Sequence, residues 1–255
     1  MNKSIKVKKV LENCIDKFNF KFKIKNKLKE NFLKKLERHK FFLKELNKKV
    51  KSNSHFKKRN FKSIYELSVY RNFVYYVVRC LKPSKVLETG VFHGLTTMWI
   101  LKALEDNKKG KLISIDIKRS DWNKYFKKTK MGPGYIYDLD FPKNENPGWI
   151  IPEYLKKRWT LIYGPSHRHV NKFRNIDLFI HDSDHSYKNV KNEIQTITKN
   201  NKNIPFIIDN FDMNSYSFDY LNKNSPKDGY CNKNYVFIDD VNDNLECFES
   251  SIIIK

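Results

Sequence analysis

Four carboxylates stand where a folded chain can put them to chemical use. Glu88, Asp116, Asp182 and Asp209 fall at or near the ends of the short apolar runs KVLETG (85–90), KLISID (111–116), IDLFIHD (176–182) and IPFIID (204–209). Core positions avoid unpaired carboxylates because burying a charge is costly. Four of them at matching run ends therefore point to a ligand site. Gly90 and Gly94 flank the loop after Glu88, where glycine permits a tight turn and close approach of a ligand to the backbone. HDSDHSY (181–187) is the densest polar cluster, with His181 and His185 beside Asp182. Asn210 follows Asp209, and Gly164-Pro165-Ser166 closes a further run, WTLIYG (159–164). In nucleotide-binding sheets an acid placed like Asp116 accepts hydrogen bonds from ribose hydroxyls. The ordinary alternative is an Asp that simply ends a strand or caps a turn, and it applies to Asp182 and Asp209 as well.

Positioning these groups requires strands that all stop on one side. The runs above are short and rich in β-branched residues, and helical stretches separate them: Ile64–Leu81, stopped by Pro83, then Thr96–Leu104, closed by Gly110, then about Tyr187 to Thr198. YVFIDD (235–240) and SSIIIK (250–255) read as a late strand pair. Alternation of this kind predicts an α/β fold: a doubly wound, mostly parallel, Rossmann-like sheet of seven strands with an antiparallel end. Such sheets bind ligands beyond the C-terminal ends of their strands, which is where the carboxylates fall. Ser120–Trp149 forms a long insertion carrying Trp122, Tyr125, Tyr135, Tyr137, Phe141 and Trp149, with Gly132-Pro133-Gly134 as a hinge-like turn. It reads either as a lid or acceptor-binding wall, or as a surface subdomain with its own small cluster.

Residues 1–60 form a basic helical extension ahead of the main domain, 61–255, and contain neither Gly nor Pro. Leu28, Phe32, Leu36, Leu43, Leu46 and Val50 recur at helical spacing and make one apolar stripe. Its expected cover is the chain's own domain or, in a homodimer, a second copy. The formal net charge is +23. A field of that sign attracts nucleic acid or another polyanion. The excess is nevertheless mostly Lys, a solvated point charge, rather than the Arg preferred for bidentate phosphate recognition, so compositional drift is the favoured account. Four scattered cysteines form no CxxC pair, which argues against a zinc site or disulfide framework and for a reducing compartment. With no apolar run of membrane-spanning length and no apolar segment behind the basic start, a cytoplasmic setting is expected.

VLETGVFHGLTT (86–97) resembles the first motif of class I S-adenosylmethionine-dependent methyltransferases, and IDLFIHDSDHSYKNVKNEI (176–194) is similar to the fourth-strand motif of a small bacterial and archaeal O-methyltransferase-like family. GWIIPEYLKKRWTLIYG (148–164) and DNFDMNSYSFDYL (209–221) resemble that family too. The resemblance implies an S-adenosylmethionine site in which Glu88, Gly90 and Gly94 frame the methionine part with His93 beside them. Asp116 would hold the ribose, Ser166 would lie near the adenine, and Asp182 would border the cofactor. It also implies one divalent cation, such as Mg²⁺, on Asp182, Asp209 and Asn210, with His185 as base beside Asp182. The expected reaction is methylation of a small-molecule or glycan hydroxyl. Two further readings stay open: a methyltransferase acting on RNA or another polyanion through the basic arm, and a non-catalytic binding module of the same fold. A nicotinamide dehydrogenase is disfavoured, since G-x-G-x-x-G is missing after the first strand.

Overall fold

The computed structural model describes residues 3–25, 27–36, 48, 68–126, 141–142, 144–201, 203–209, 235–241 and 247–254. Helix α1 (Lys3–Phe22) and helix α2 (Lys27–Leu36) open the chain. The sequence reads as continuous helix here, yet Lys23 adopts a left-handed backbone (φ 55°) and divides the two, with no Gly or Pro to signal the break. Helix α3 (Val69–Leu81) is capped by Ser68, whose hydroxyl accepts from the Arg71 N–H, and it ends at left-handed Lys82, just before Pro83.

Strand β1 (Lys85–Thr89), helix α4 (Leu95–Asp106) and strand β2 (Lys111–Asp116) follow in turn. A short helix, α5 (Trp122–Phe126), lies at the start of the insertion, and another, α6 (Glu153–Lys156), follows it. The remaining elements are β3 (Trp159–Tyr163), β4 (Leu178–His181), α7 (Tyr187–Asn200), β5 (Phe206–Asp209), β6 (Tyr235–Val241) and β7 (Cys247–Ile254). Strands β3, β2, β1, β4 and β5 lie side by side and parallel, as expected. At the β5 edge β7 runs antiparallel, and β6 pairs antiparallel with β7.

Alternation along the strands divides the core into two layers. Val86, Leu112, Leu178, Ile180 and Ile207 pack with α3 and α4 on one face. Leu87, Ile115, Phe179, Phe206 and Ile208 face α7 through Val190, Ile194 and Ile197. The basic front end joins the first layer rather than standing apart. Phe18 meets Phe73 and Tyr76 edge-on, the Tyr76 hydroxyl donates to Asn19 at 2.8 Å, and Phe32 packs on Tyr75 and Tyr76. Of the apolar stripe, Phe32 is buried and Leu28 exposed, while Leu43, Leu46 and Val50 lie outside the described residues. Among the described residues no helix is long and apolar enough to cross a membrane.

Candidate active site

The register of the parallel strands gathers the expected residues. Thr89 lies opposite His181 and His181 opposite Ile208, so Gly90, Asp182 and Asp209 follow as a row at the C-terminal ends of β1, β4 and β5. The glycines there serve packing as much as access. Gly90 sits at φ +86°, and a Cβ on it would fall 1.8 Å from the Asp182 carbonyl oxygen. Gly94, at φ +92°, opens α4, and its Cβ would press on Gly148 and Ile151. Only glycine lets the first loop lie this close to β4 and the insertion.

Asp116 braces that loop. One carboxylate oxygen accepts from the N–H groups of Val91 (2.9 Å) and Phe92 (2.8 Å), and the other from Ile117 (2.6 Å). Burial raises its pKa, and the three backbone donors oppose the rise. This bracing is not legible from residue spacing. His93 is buried; its Nδ1 accepts from the Trp149 indole N–H at 2.9 Å, and its ring stacks on Phe141 at 5.1 Å. With Phe92 and Trp122 these rings form one cluster, so both described ends of the insertion are anchored on the loop that carries His93. Tyr135, Tyr137 and the Gly-Pro-Gly turn fall outside the described residues.

Glu88 lies beneath the loop, fully buried. Its carboxylate accepts from Thr97 (3.0 and 3.1 Å) and Ser114 (2.6 Å), and the Ser114 oxygen in turn accepts from the Trp159 indole. Desolvation pushes its pKa up to about 8 despite those donors. Ser166 opens a single helical turn after β3, and its hydroxyl is 3.4 Å from Asn189 Oδ1, which places it against the start of α7.

Asp182 and Asp209 meet. Burial raises the Asp182 pKa well above the carboxylate range, and the adjacent Asp209 carboxyl, within hydrogen-bond reach, adds to the rise. Two carboxyls forced together this way fit a hard divalent cation, which takes oxygen ligands. Asn210, the third expected ligand, falls outside the described residues. Among the described residues no cluster of three or more His, Cys, Asp or Glu side chains forms a metal cage. His185 is half-buried, and desolvation together with His181 lowers its pKa. The two rings meet edge-on with centroids 5.3 Å apart.

One participant escaped the sequence reading. Glu193, fully buried on α7, accepts from Thr89 (2.7 Å), Ser183 (2.9 Å) and Asn189 (3.0 Å), and lies 2.8 Å from Nδ1 of fully buried His181. These donors and His181 hold its pKa low against burial. The available signal was its place in the stripe Val190, Ile194, Ile197, where an acid at an apolar position announces a buried partner.

Residues 87–203 match the family model described as a methyltransferase domain. That stretch is methyltransferase-like, and it makes up a little under half of the chain. No curated protein matches the chain in sequence. In shape it resembles an O-methyltransferase from Bacillus cereus solved with S-adenosylhomocysteine, at 12% identity over 83% of this chain and 89% of that one, TM-score 0.49. It also resembles the O-methyltransferase TomG from Streptomyces achromogenes, solved with S-adenosylmethionine, at 12% identity over 82% and 87%, TM-score 0.47. A methyltransferase from Geobacter sulfurreducens overlaps at 14% identity over 72% and 77%, TM-score 0.42. Overlaps this loose transfer no residue roles. The methyltransferase match spans β1 through α7, the stretch that holds Glu88, Asp116, Asp182, His185 and Glu193.

Proposed function

We propose that this methyltransferase moves the S-adenosylmethionine methyl group onto a hydroxyl oxygen of a small molecule or glycan, assisted by a divalent cation such as Mg²⁺ at Asp182, Asp209 and Asn210. The observation that supports this reading is the close pair of Asp182 and Asp209 at adjacent strand ends, beside a histidine that burial keeps neutral. Methyl transfer from a sulfonium is an in-line displacement, so catalysis consists largely of aligning donor and acceptor and supplying an ionised oxygen. When bound, the cation would lower the pKa of the acceptor hydroxyl.

The chain's own residues do the rest. Gly90 and Gly94, with Asp116 bracing the loop between them, form the wall under the donor, and Asp116 keeps one acceptor position on Oδ1 for a ribose hydroxyl. His185, neutral at physiological pH because its pKa is lowered, is in the form that accepts the acceptor's proton. Glu193 holds His181 beside it, and the anchored aromatic cluster of the insertion walls the acceptor side.

The test is transfer of labelled methyl from S-adenosylmethionine to a panel of hydroxyl compounds, with Mg²⁺ and with chelator. Transfer to oxygen that falls at least tenfold with chelator or in Asp182→Asn supports the reading. Transfer to nitrogen or carbon, or transfer indifferent to chelator, overturns it.

A further inference from the structure

Helix α3 leads through Lys82–Ser84 into the start of β1, so it descends antiparallel to that strand. Its first turn therefore lies at the ligand end of the sheet, beside the ends of β1, β4 and β5. Among the described residues, two side chains of that turn carry a buried donor without an acceptor. Tyr70 is only 5% exposed, and its hydroxyl has no hydrogen-bond partner among the described residues. The Nε of neighbouring Arg71 is likewise buried and unmatched. The Ser68 cap already takes the Arg71 backbone N–H, and the Asn72 side chain takes the Ser68 carbonyl at 2.7 Å, so the turn is fixed independently of these two groups. Buried polar groups are almost always satisfied, and an orphan costs about 1–3 kcal/mol. Two adjacent orphans at the open end of a ligand-binding sheet indicate that a bound molecule brings the acceptor.

The surroundings narrow the chemistry. Tyr70 lies within the field of the Asp209, Asp182 and Glu88 carboxylates, and Arg71 within that of Asp182. A simple anion entering here would be repelled by the Asp182–Asp209 pair. A zwitterion would not be: its carboxylate meets the phenol, the guanidinium and the positive end of the α3 dipole, while its ammonium lies toward the acids. We infer that Tyr70 and Arg71 form a carboxylate clamp that binds the α-amino-acid end of the methyl donor, with the acidic strand ends facing its ammonium. This rests on S-adenosylmethionine being the donor.

Calorimetry separates the two ideas. The full-length protein, Tyr70→Phe and Arg71→Gln are each titrated with S-adenosylmethionine and with 5′-methylthioadenosine, which keeps the purine, ribose and thioether but lacks the amino-acid end. Each substitution is expected to weaken S-adenosylmethionine binding by about 10-fold or more, the usual worth of a hydrogen bond to a charged group. Methylthioadenosine binding should change by less than about twofold. Tyr70→Phe should also melt no lower than the parent, because the hydroxyl it removes has no hydrogen-bond partner among the described residues. Unchanged S-adenosylmethionine affinity in both variants overturns the clamp while leaving the donor assignment standing, and equal losses for both ligands overturn it in favour of packing. Failure of the parent protein to bind S-adenosylmethionine overturns the donor assignment and the clamp with it.

Discussion

Glu88 should make the free protein lose stability as the pH rises. Its pKa is pushed up to about 8 in the folded chain, against an ordinary value of 4.5. A group raised on folding contributes stability that is fully present below its unfolded pKa and is lost as pH climbs through the folded one. At 1.36 kcal/mol per unit, the full span is about 5 kcal/mol, of which about 3–4 kcal/mol falls between pH 5 and pH 8. Replacing Glu88 by Gln removes that titration and leaves the site filled. Gln still accepts from Thr97, and its amide can donate to Ser114, whose oxygen otherwise receives the Trp159 indole. Urea unfolding of parent and variant at pH 5, 6, 7 and 8 reads the effect as a difference, so other titrating groups largely cancel. The stability of Glu88→Gln relative to the parent should rise by about 3 kcal/mol across that range, with the slope on urea unchanged. A gap that widens by less than about 1 kcal/mol would refute the argument that desolvation dominates at this position.

Other consequences follow from the same geometry. Gly90→Ala should cost about 4 kcal/mol or more, because the new Cβ meets the Asp182 backbone at 1.8 Å. Gly164→Ala should cost clearly less in the same melts, because its closest neighbour is the His169 side chain, which can turn. Glu193→Ala strands the groups around His181 and should cost about 3–5 kcal/mol by chemical denaturation; a loss below 1 kcal/mol would show that the cluster is not tightly coupled. Since Glu193 has a lowered pKa, its contribution is present above the ordinary carboxylate range and disappears as pH falls through the folded value, giving the parent a steeper acid limb than Glu193→Gln. Asp182→Asn relieves the pairing with Asp209, so it should raise the melting temperature in chelator and abolish any rise that Mg²⁺ gives the parent.

The architecture was legible because its signals are local. KLISID became β2 with both ends in place, and IPFIID lost only its first two residues from β5. Tyr187 starts α7 where expected, since Ser186 caps it. The break at Lys23 was illegible, because a left-handed lysine carries no mark in sequence and is held there by α1 and α2 packing on α3. The site was legible as a set of strand ends and illegible as a network. Spacing can place Asp116 at the end of β2, but its three backbone donors depend on how the first loop folds back over it. Likewise Glu88 looks from sequence like a pocket residue, whereas the parity of β1 turns it inward, on the face that holds Val86, to meet Thr97 and Ser114. Glu193 meets Thr89, 104 residues earlier in the chain, a pairing that only the β1–β4 register and the docking of α7 create.

Calorimetric titration of the full-length protein with S-adenosylmethionine tests the central claim most directly. One site per chain with micromolar or tighter affinity, in competition with S-adenosylhomocysteine, is the expected result. No heat and no competition, with the protein folded and in the presence or absence of Mg²⁺, would contradict it.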